Sequence, residues 1–256
     1  TDVTNCNLTD GTITITPVGG DGPYEYSLDG INWFTNGGLF TNLAGSTTYI
    51  PHVRFTSGQC EETLSPVTID EPSFPTVDSY NTSNPSDCGA DDGIIDIQAS
   101  GAGSVQYSID NGDSWSSNGY FDNLEPGDYF PVVRKGDGTC ELYFLIVTLS
   151  DPPQPFITSV VPTNPTDCGA LDGTITINAS GGISPLEYSI DNGQSWQVNG
   201  GTYTNLGPGI YNILVRNTDG TCEVLDNMPI TLEDPPQATI VQVDTTNISD
   251  CDAADA

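Results

Sequence analysis

The chain has 256 residues, with 35 acidic against 4 basic side chains and a formal net charge of −31. A surface of that sign repels phosphate backbones and anionic bilayers, so nucleic acid is excluded as an expected partner. No apolar run reaches the roughly 18 residues of a membrane-spanning helix, and no signal peptide or lipidation motif is visible, so no membrane insertion is expected.

The elements recur in chain order. The first copy opens with Cys6 and the strand Asp10-Gly11-Thr12-Ile13-Thr14-Ile15. It continues with Tyr26-Ser27-Leu28-Asp29, Trp33, Asn42-Leu43, Val53-Arg54 and Cys60-Glu61. The second runs from Cys88 and Asp92–Ile97 through Asp110, Trp115, Asn123-Leu124 and Val133-Arg134 to Cys140-Glu141. The third runs from Cys168 and Asp172–Ile177 through Asp191, Trp196, Asn205-Leu206 and Val215-Arg216 to Cys222-Glu223. A fourth copy begins at Cys251. A fixed period near 80 residues signals an array of similar units.

The period divides the chain into 1–73, 74–154, 155–236 and 237–256. The first unit is N-terminally incomplete: it lacks the apolar lead-in that Val77–Tyr80 and Phe156–Val161 give the next two. The last segment, with Ala238–Val243, is the lead-in of a truncated fourth, as expected of a slice from a longer polypeptide. Prolines punctuate the joints at Pro72 and Pro75, at Pro152, Pro153 and Pro155, and at Pro235 and Pro236. Such joints are short and stiff, which predicts a rod.

Within the third unit, strands are expected over Phe156–Val161, Gly173–Asn178, Leu186–Ile190, Ser195–Val198, Thr202–Asn205, Ile210–Arg216 and Cys222–Leu232. Their apolar residues alternate with period two, and turn signals such as Asp191-Asn192-Gly193 separate them. No window has helical spacing with caps. The expected fold is all-β: a tandem array of immunoglobulin-like or fibronectin-like β-sandwiches, about seven strands each.

Units this small bury thin cores and benefit from covalent help. Similar placement of two cysteines in each unit predicts a bridge within each: Cys6 with Cys60, Cys88 with Cys140, Cys168 with Cys222. Cys251 is left for a partner further on. Each bridge would close about 55 residues and contribute roughly 4 kcal/mol on the chain-entropy model. Disulfides imply an oxidising compartment.

The other candidate sites are structural. Ser108-Ile109-Asp110-Asn111-Gly112-Asp113-Ser114-Trp115 and its copy Ser189–Trp196 resemble the Asp-box of sialidases, where that box stabilises a hairpin away from the chemistry. The first unit has a turn one residue shorter, from Asp29 to Trp33. Arg54, Arg134 and Arg216 each follow a valine at the same position, and are expected to anchor on the hairpin aspartates Asp29, Asp110 and Asp191 or on Trp33, Trp115 and Trp196. His52 has no counterpart in the other units, so neither a repeated triad nor a zinc site is expected. Acids cluster at the joints: Glu71 and Asp87; Asp151 and Asp167; Glu233, Asp234 and Asp250. They are candidate Ca2+ ligands, although no cofactor is required and the spacing is not an EF-hand. Asn7, Asn81, Asn178 and Asn247 lie in glycosylation sequons.

The string Cys-x-x-x-Asp-Gly-Thr-Ile-Thr-Ile, then Gly-Gly, Tyr-Ser-Ile-Asp-Asn-Gly, Thr-Asn-Leu, Pro-Gly-x-Tyr, Val-Arg-Asn and Thr-Cys-Glu resembles the SprB-type repeat of Bacteroidota surface proteins. The third unit matches from Cys168 to Cys222. The second has Pro126-Gly127-Asp128-Tyr129, and the first departs with Ala44-Gly45-Ser46. The resemblance implies secretion by the type IX route, display on the bacterial cell surface, and a role in adhesion or gliding motility. It brings no catalytic residues. The expected function is a non-enzymatic extracellular structural or adhesive repeat, partnered by neighbouring repeats, by other copies in a fibre, or by a surface glycan or substratum. One alternative is a tandem carbohydrate-binding module, which needs aromatics such as Tyr120, Phe121 and Tyr203 exposed in a row. Another is the accessory region of a secreted hydrolase.

Overall fold

The computed structural model describes residues 1–245 apart from Asp21 and Ala102. Cys251, Asp250 and Asn247 lie outside the described residues. The chain divides into two compact units, residues 1–85 with 89–150, and residues 86–88 with 151–256.

The first repeat contributes β1 (Gly11–Thr14), β2 (Tyr24–Ser27), β3 (Leu39–Leu43), β4 (Thr47–Tyr49), β5 (His52–Phe55), β6 (Glu62–Thr63) and β7 (Val67–Ile69). The second contributes β8 (Thr76–Ser83), β9 (Gly93–Ser100), β10 (Val105–Ser108), β11 (Tyr120–Leu124), β12 (Gly127–Tyr129), β13 (Val132–Lys135), β14 (Leu142–Tyr143) and β15 (Val147–Leu149). The third contributes β16 (Pro155–Thr163), β17 (Gly173–Gly181), β18 (Leu186–Ser189), β19 (Thr202–Leu206), β20 (Gly209–Tyr211), β21 (Leu214–Asn217), β22 (Val224–Leu225) and β23 (Ile230–Leu232).

All pairings are antiparallel except two isolated bridges. In the second repeat one sheet runs β11-β9-β8 and the other β10-β13-β14, with β12 paired to β15. The third repeat has the same order, β16-β17-β19 against β18-β21-β22, with β20 paired to β23. With the edge stretch bridged to β10 and to β18 counted as D, and β12–β13 and β20–β21 each counted as one F strand, this is an A-B-E sheet facing a C-F-G sheet, the strand order of immunoglobulin-like sandwiches;. The stretch Ser195–Val198 is not a full strand. It touches β18 through the single bridge Tyr188↔Gln197. The expected strand Ile210–Arg216 is broken into β20 and β21, and Cys222–Leu232 into β22 and β23. The break lets β21 pair with both β18 and β22, whereas β20 pairs only with β23.

Period two sets the cores. Ile95 and Ile97 in β9, and Ile175 and Ile177 in β17, are fully buried, while Asp96 and Thr176 face the other way. Each repeat has its own cluster, built around Ile13, Ile15 and Tyr26, around Ile95, Ile97 and Tyr107, and around Ile175, Ile177 and Tyr188. Two recurrent sequence details have backbone causes. Asn42, Asn123 and Asn205 adopt left-handed φ of 59°, 55° and 61° where β3, β11 and β19 shift register against their partners, so the Asn-Leu step marks a β-bulge;. Gly38, Gly119 and Gly201 approach a strand so closely that an added Cβ would sit 2.1, 2.0 and 2.1 Å from the carbonyl oxygens of Ile15, Ile97 and Ile177.

This topology separates the two cysteines of a repeat. β1 leaves the Cys6 loop and its chain continues into the start of β2 at Tyr24. Tyr24 pairs with Phe55, the end of β5, and Cys60 follows from there. The opening cysteine therefore stands at one end of the sandwich and the closing cysteine at the other. A strand of eight residues such as β9 puts roughly 26 Å between such ends.

Candidate functional site

The expected within-repeat bridges are not formed. Cys6 is bonded to Cys140 and Cys88 to Cys222, each across 134 residues, with Cα atoms 5.0 and 4.9 Å apart. Cys60 and Cys168 are exposed and unbonded. The cause is the end-to-end separation just described: a disulfide needs Cα atoms within about 7 Å. The opening loop of one repeat instead meets the β-hairpin turn that carries the closing cysteine of the next.

Polar contacts frame each bond. Asn5 Oδ1 accepts from the backbone N–H of Cys140 at 2.6 Å. Its counterpart Asp87 Oδ1 accepts from Cys222 N at 2.5 Å and from Cys88 N at 2.7 Å. The closing cysteines Cys140 and Cys222 sit at left-handed φ of 57° and 55°. On the chain-entropy model, a loop of this length contributes roughly 5 kcal/mol per bond.

The joint acids named as candidate calcium ligands mostly accept from backbone amides. Besides Asp87, Glu71 Oε1 accepts from Asn7 N at 2.6 Å and Glu71 Oε2 from Ser46 Oγ at 3.1 Å. Asp167 Oδ1 accepts from Cys168 N at 2.8 Å, and Asp234 Oδ1 from Gly169 N at 2.9 Å. Glu233 uses its own amide, which donates to Asn164 Oδ1 at 3.1 Å. Among the described residues, one group of three has metal-ligand spacing, Asp87 with Cys88 and Cys222. Its two sulfurs are bonded to each other, so neither offers a thiolate.

The second recurrent constellation is the Asp–Trp hairpin with its arginine. The Asp110 carboxylate accepts from Ser108 Oγ at 2.6 Å, from Ser114 N at 2.9 Å and from Ser114 Oγ. Asp191 repeats this with Ser189 and Ser195. In the shorter first turn, Asp29 takes the amides of Ile31 and Asn32 and the side chain of Asn32. Burial pushes the Asp110 carboxyl up, but the serine hydrogen bonds outweigh it and hold the group at about 2. Asp191 is lowered by the same balance. The Asn32 amide and side chain, then the Ile31 amide, hold Asp29 well below the usual carboxylate range.

The arginines settle on the tryptophans rather than on these aspartates. The guanidinium carbons of Arg54, Arg134 and Arg216 lie 3.7, 3.7 and 4.0 Å from the ring centroids of Trp33, Trp115 and Trp196. Each Nε donates across the strand pair, to Glu25 at 2.5 Å, to Gln106 at 2.9 Å and to Glu187 at 2.8 Å. The stack covers the hairpin with a cation whose charge is partly neutralised, an arrangement suited to packing. His52 Nδ1 lies 3.0 Å from Thr63 Oγ1 and 3.3 Å from Glu61.

Sequence reasoning missed the cross-repeat partners, though a signal existed. The within-repeat cysteine spacings are unequal, the second being two residues shorter. Both observed bonds span the same 134 residues.

The SprB repeat family model matches residues 1–32 and 159–195. No curated protein matches the chain. Among solved structures, the N-terminal eight Ig domains of Down Syndrome Cell Adhesion Molecule align at 16% identity and a TM-score of 0.39, covering 92% of this chain and 36% of that one. Sidekick-1 immunoglobulin domains 1–5 align at 14% identity and 0.33, covering 90% and 58%. The S-layer protein rSbsC aligns at 12% and 0.25, covering 86% and 36%. The chain thus spans between about a third and three fifths of those chains, and its fold assignment rests on the strand order above.

Four outcomes test the site. Digestion without reductant yields linked peptides for Cys6–Cys140 and Cys88–Cys222; a Cys6–Cys60 peptide would refute the pairing. Cys6→Ser and Cys140→Ser lower stability equally and the double variant adds nothing, while Cys60→Ser has no effect. Arg134→Lys costs about 1–2 kcal/mol in the second repeat, because an ammonium loses both the planar stack and the forked donors; denaturant unfolding followed by Trp115 fluorescence reads it. Finally, a carboxylate held at about 2 when folded and near 3.9 when unfolded stabilises the fold fully above the unfolded value;. That contribution is lost as pH falls from about 4 through about 2. Tryptophan fluorescence between those limits follows the loss, and Asp110→Asn removes it from the second repeat.

In its first and third repeats, the chain is similar to the SprB repeat.

Proposed function

We propose that this chain is a non-enzymatic structural and adhesive repeat segment of an extracellular, cell-surface protein, whose work is to span distance under load. The observation that supports this reading best is the overlap of the two disulfides. The loop closed by Cys6–Cys140 and the loop closed by Cys88–Cys222 share residues 88–140. A pull along the chain is therefore passed from Cys6 to Cys140, back through the chain to Cys88, and across to Cys222. Unfolding can release only the shared segment between the bonds, about 50 residues or roughly 170 Å when extended. A single bridge inside each repeat would leave every joint to be carried by backbone alone. Overlapping bridges back up each joint with a second covalent path.

Oxidised cysteines and repeats of the SprB type support an extracellular setting. Secretion by the type IX route and participation in gliding belong to this proposal as consequences of the family resemblance. The recurring Asp, Trp and Arg side chains are used in holding the hairpin, which leaves no repeated constellation poised for catalysis among the described residues.

The carbohydrate-binding reading has less support. Tyr203 is buried at 8% exposure and donates its hydroxyl to Tyr188 O at 2.6 Å. Burial pushes its hydroxyl up to about 12. Phe121 packs against the core of the second repeat, while Tyr120 is exposed. These three do not form an exposed row.

Single-molecule pulling from the two termini tests the mechanical reading. In oxidising buffer, extension should stop at the length set by the shared segment and the free ends. After reduction, the full contour of the three repeats should appear. An oxidised chain that extends to its full contour would rule out a load path through the bonds.

A further inference from the structure

The second repeat carries an apolar edge that the other two lack. Leu142-Tyr143-Phe144-Leu145-Ile146-Val147 is an unbroken apolar run of six residues, from β14 into the start of β15. Each of these strands has a neighbour on one side only, β13 for β14 and β12 for β15. Tyr143, Leu145 and Ile146 are 56%, 72% and 60% exposed. Phe130, between the pairs Tyr129↔Val147 and Val132↔Tyr143, is exposed as well.

Counting from the closing cysteines, the first repeat has Thr63, Leu64, Ser65 and Pro66 where the second has Tyr143, Phe144, Leu145 and Ile146. The third has Leu225, Asp226 and Asn227, then Met228-Pro229 before β23. Both break the run with polar residues and a proline, devices that keep a sheet edge from being joined. The second repeat has neither, and so exposes a segment of the kind that pairs.

The A strand holds this edge in place. Tyr80 on β8 meets Phe144 with ring centroids 6.2 Å apart, and Phe144 packs against the core of the repeat. In the third repeat Val160 and Asp226 take those places, and a trough of about 420 Å³ lies between Phe156–Ser159 and Val224–Asn227. The aromatic pair anchors Phe144 inward and leaves Leu145 and Ile146 outside.

The occupant that fits this edge is a second copy of itself. Tyr80, Phe130, Tyr143, Leu145 and Ile146 expose on the order of 500 Å² between them, the size of patch that marks an interaction surface. Paired about a two-fold axis, two such patches remove roughly 1,000 Å², the lower bound for a specific contact. With the axis at Phe144 and the runs antiparallel, each Tyr143 faces the other copy's Leu145, an aromatic against a branched aliphatic.

Charge favours the same register. No residue from Leu142 to Ser150 is charged. Glu141 stands three residues from the axis. The two Glu141 side chains would therefore lie about 20 Å apart, beyond the roughly 8 Å Debye length at physiological ionic strength. Each is also engaged by Arg134 Nη1 at 3.4 Å and by the Tyr143 hydroxyl at 2.9 Å. The same pairing of third repeats would set Asp226 against Asp226 on the axis. In the first repeat two adjacent acids, Glu61 and Glu62, open the strand.

We propose that the second repeat pairs with the second repeat of another copy of this chain, edge to edge about a two-fold axis at Phe144, burying Tyr143, Leu145 and Ile146. The contact is isologous and closes at two copies. It uses a strand edge and no bridged cysteine, so it stands or falls separately from the load path proposed above.

The test is light scattering after size exclusion on the full chain, with Cys60 and Cys168 alkylated so that no thiol chemistry contributes. A dimer and nothing larger is expected. Each copy carries a net charge of −31. Raising salt from about 20 mM to about 500 mM should therefore tighten the dimer by screening the repulsion. Leu145→Ser with Ile146→Pro gives the second repeat the residues of the first, and should weaken dimerisation roughly a hundredfold or more, since each apolar side chain is lost twice. The first repeat folds with Ser65 and Pro66 at these positions, so circular dichroism should be unchanged. Leu145→Asp alone sets two carboxylates beside the axis and should disrupt the dimer without altering the backbone. Met228→Ser, at an exposed apolar side chain of the third repeat, should leave it intact. A chain that stays monomeric at high concentration and high salt would overturn the proposal and leave the edge to a different partner. Open-ended aggregation in place of a dimer, or a dimer undiminished by the Leu145 and Ile146 variants, would overturn it as well.

Discussion

An antiparallel sandwich whose second strand leaves from one end must return its F–G hairpin to the other. Everything covalent in this protein follows from that constraint. The opening cysteine precedes the second strand of its repeat, and the closing cysteine follows the F strand. They cannot approach each other without dismantling the sheet. An opening cysteine can approach the closing cysteine of the next repeat, and Cys6–Cys140 and Cys88–Cys222 do so. The bonds therefore reinforce joints and leave each core to hold itself together by apolar packing. Their neighbours, Asn5 and Asp87, cap the amides of Cys140 and Cys222 and fix the approach of the two loops.

Within a repeat the same economy of parts recurs. One aspartate satisfies the amides of a hairpin turn, one tryptophan covers it, and one arginine lies on the tryptophan while its Nε bonds a neighbouring strand. A chain with this excess of acid can spare few cations. Three of its four are placed on tryptophan rings in equivalent positions. The guanidinium can stack and donate at once, which an ammonium cannot do in the same plane. The acids at the joints have a comparable job, accepting from backbone amides where loops meet.

Much of this was legible in the residues. The alternation in Gly93–Ile97 and Gly173–Ile177 marks buried strands because side chains alternate faces every residue. Asp110-Asn111-Gly112 and Asp191-Asn192-Gly193 mark hairpins because Asn111 and Asn192, like the glycines, take positive φ;. The arginines stood out because so few bases recur at one place. The choice between aspartate and tryptophan as their anchor did not, because both neighbours lie within reach in sequence and only the hairpin amides, already bound to the carboxylate, exclude it. The splits of the F strand into β12 with β13 and β20 with β21 were also hidden, since an apolar run looks the same whether its two halves pair with one partner or with two.

The sequence by itself determined the all-β pattern, the turns and the recurrence of one arginine at one position of each copy, because these depend on residues within a few strands. Only the tertiary structure decided which cysteines bond. That depends on which end of the sandwich a loop occupies, and a one-dimensional spacing carries no record of the end. Distance along the chain and distance in space part company wherever strands reverse, and here each repeat reverses between its two cysteines.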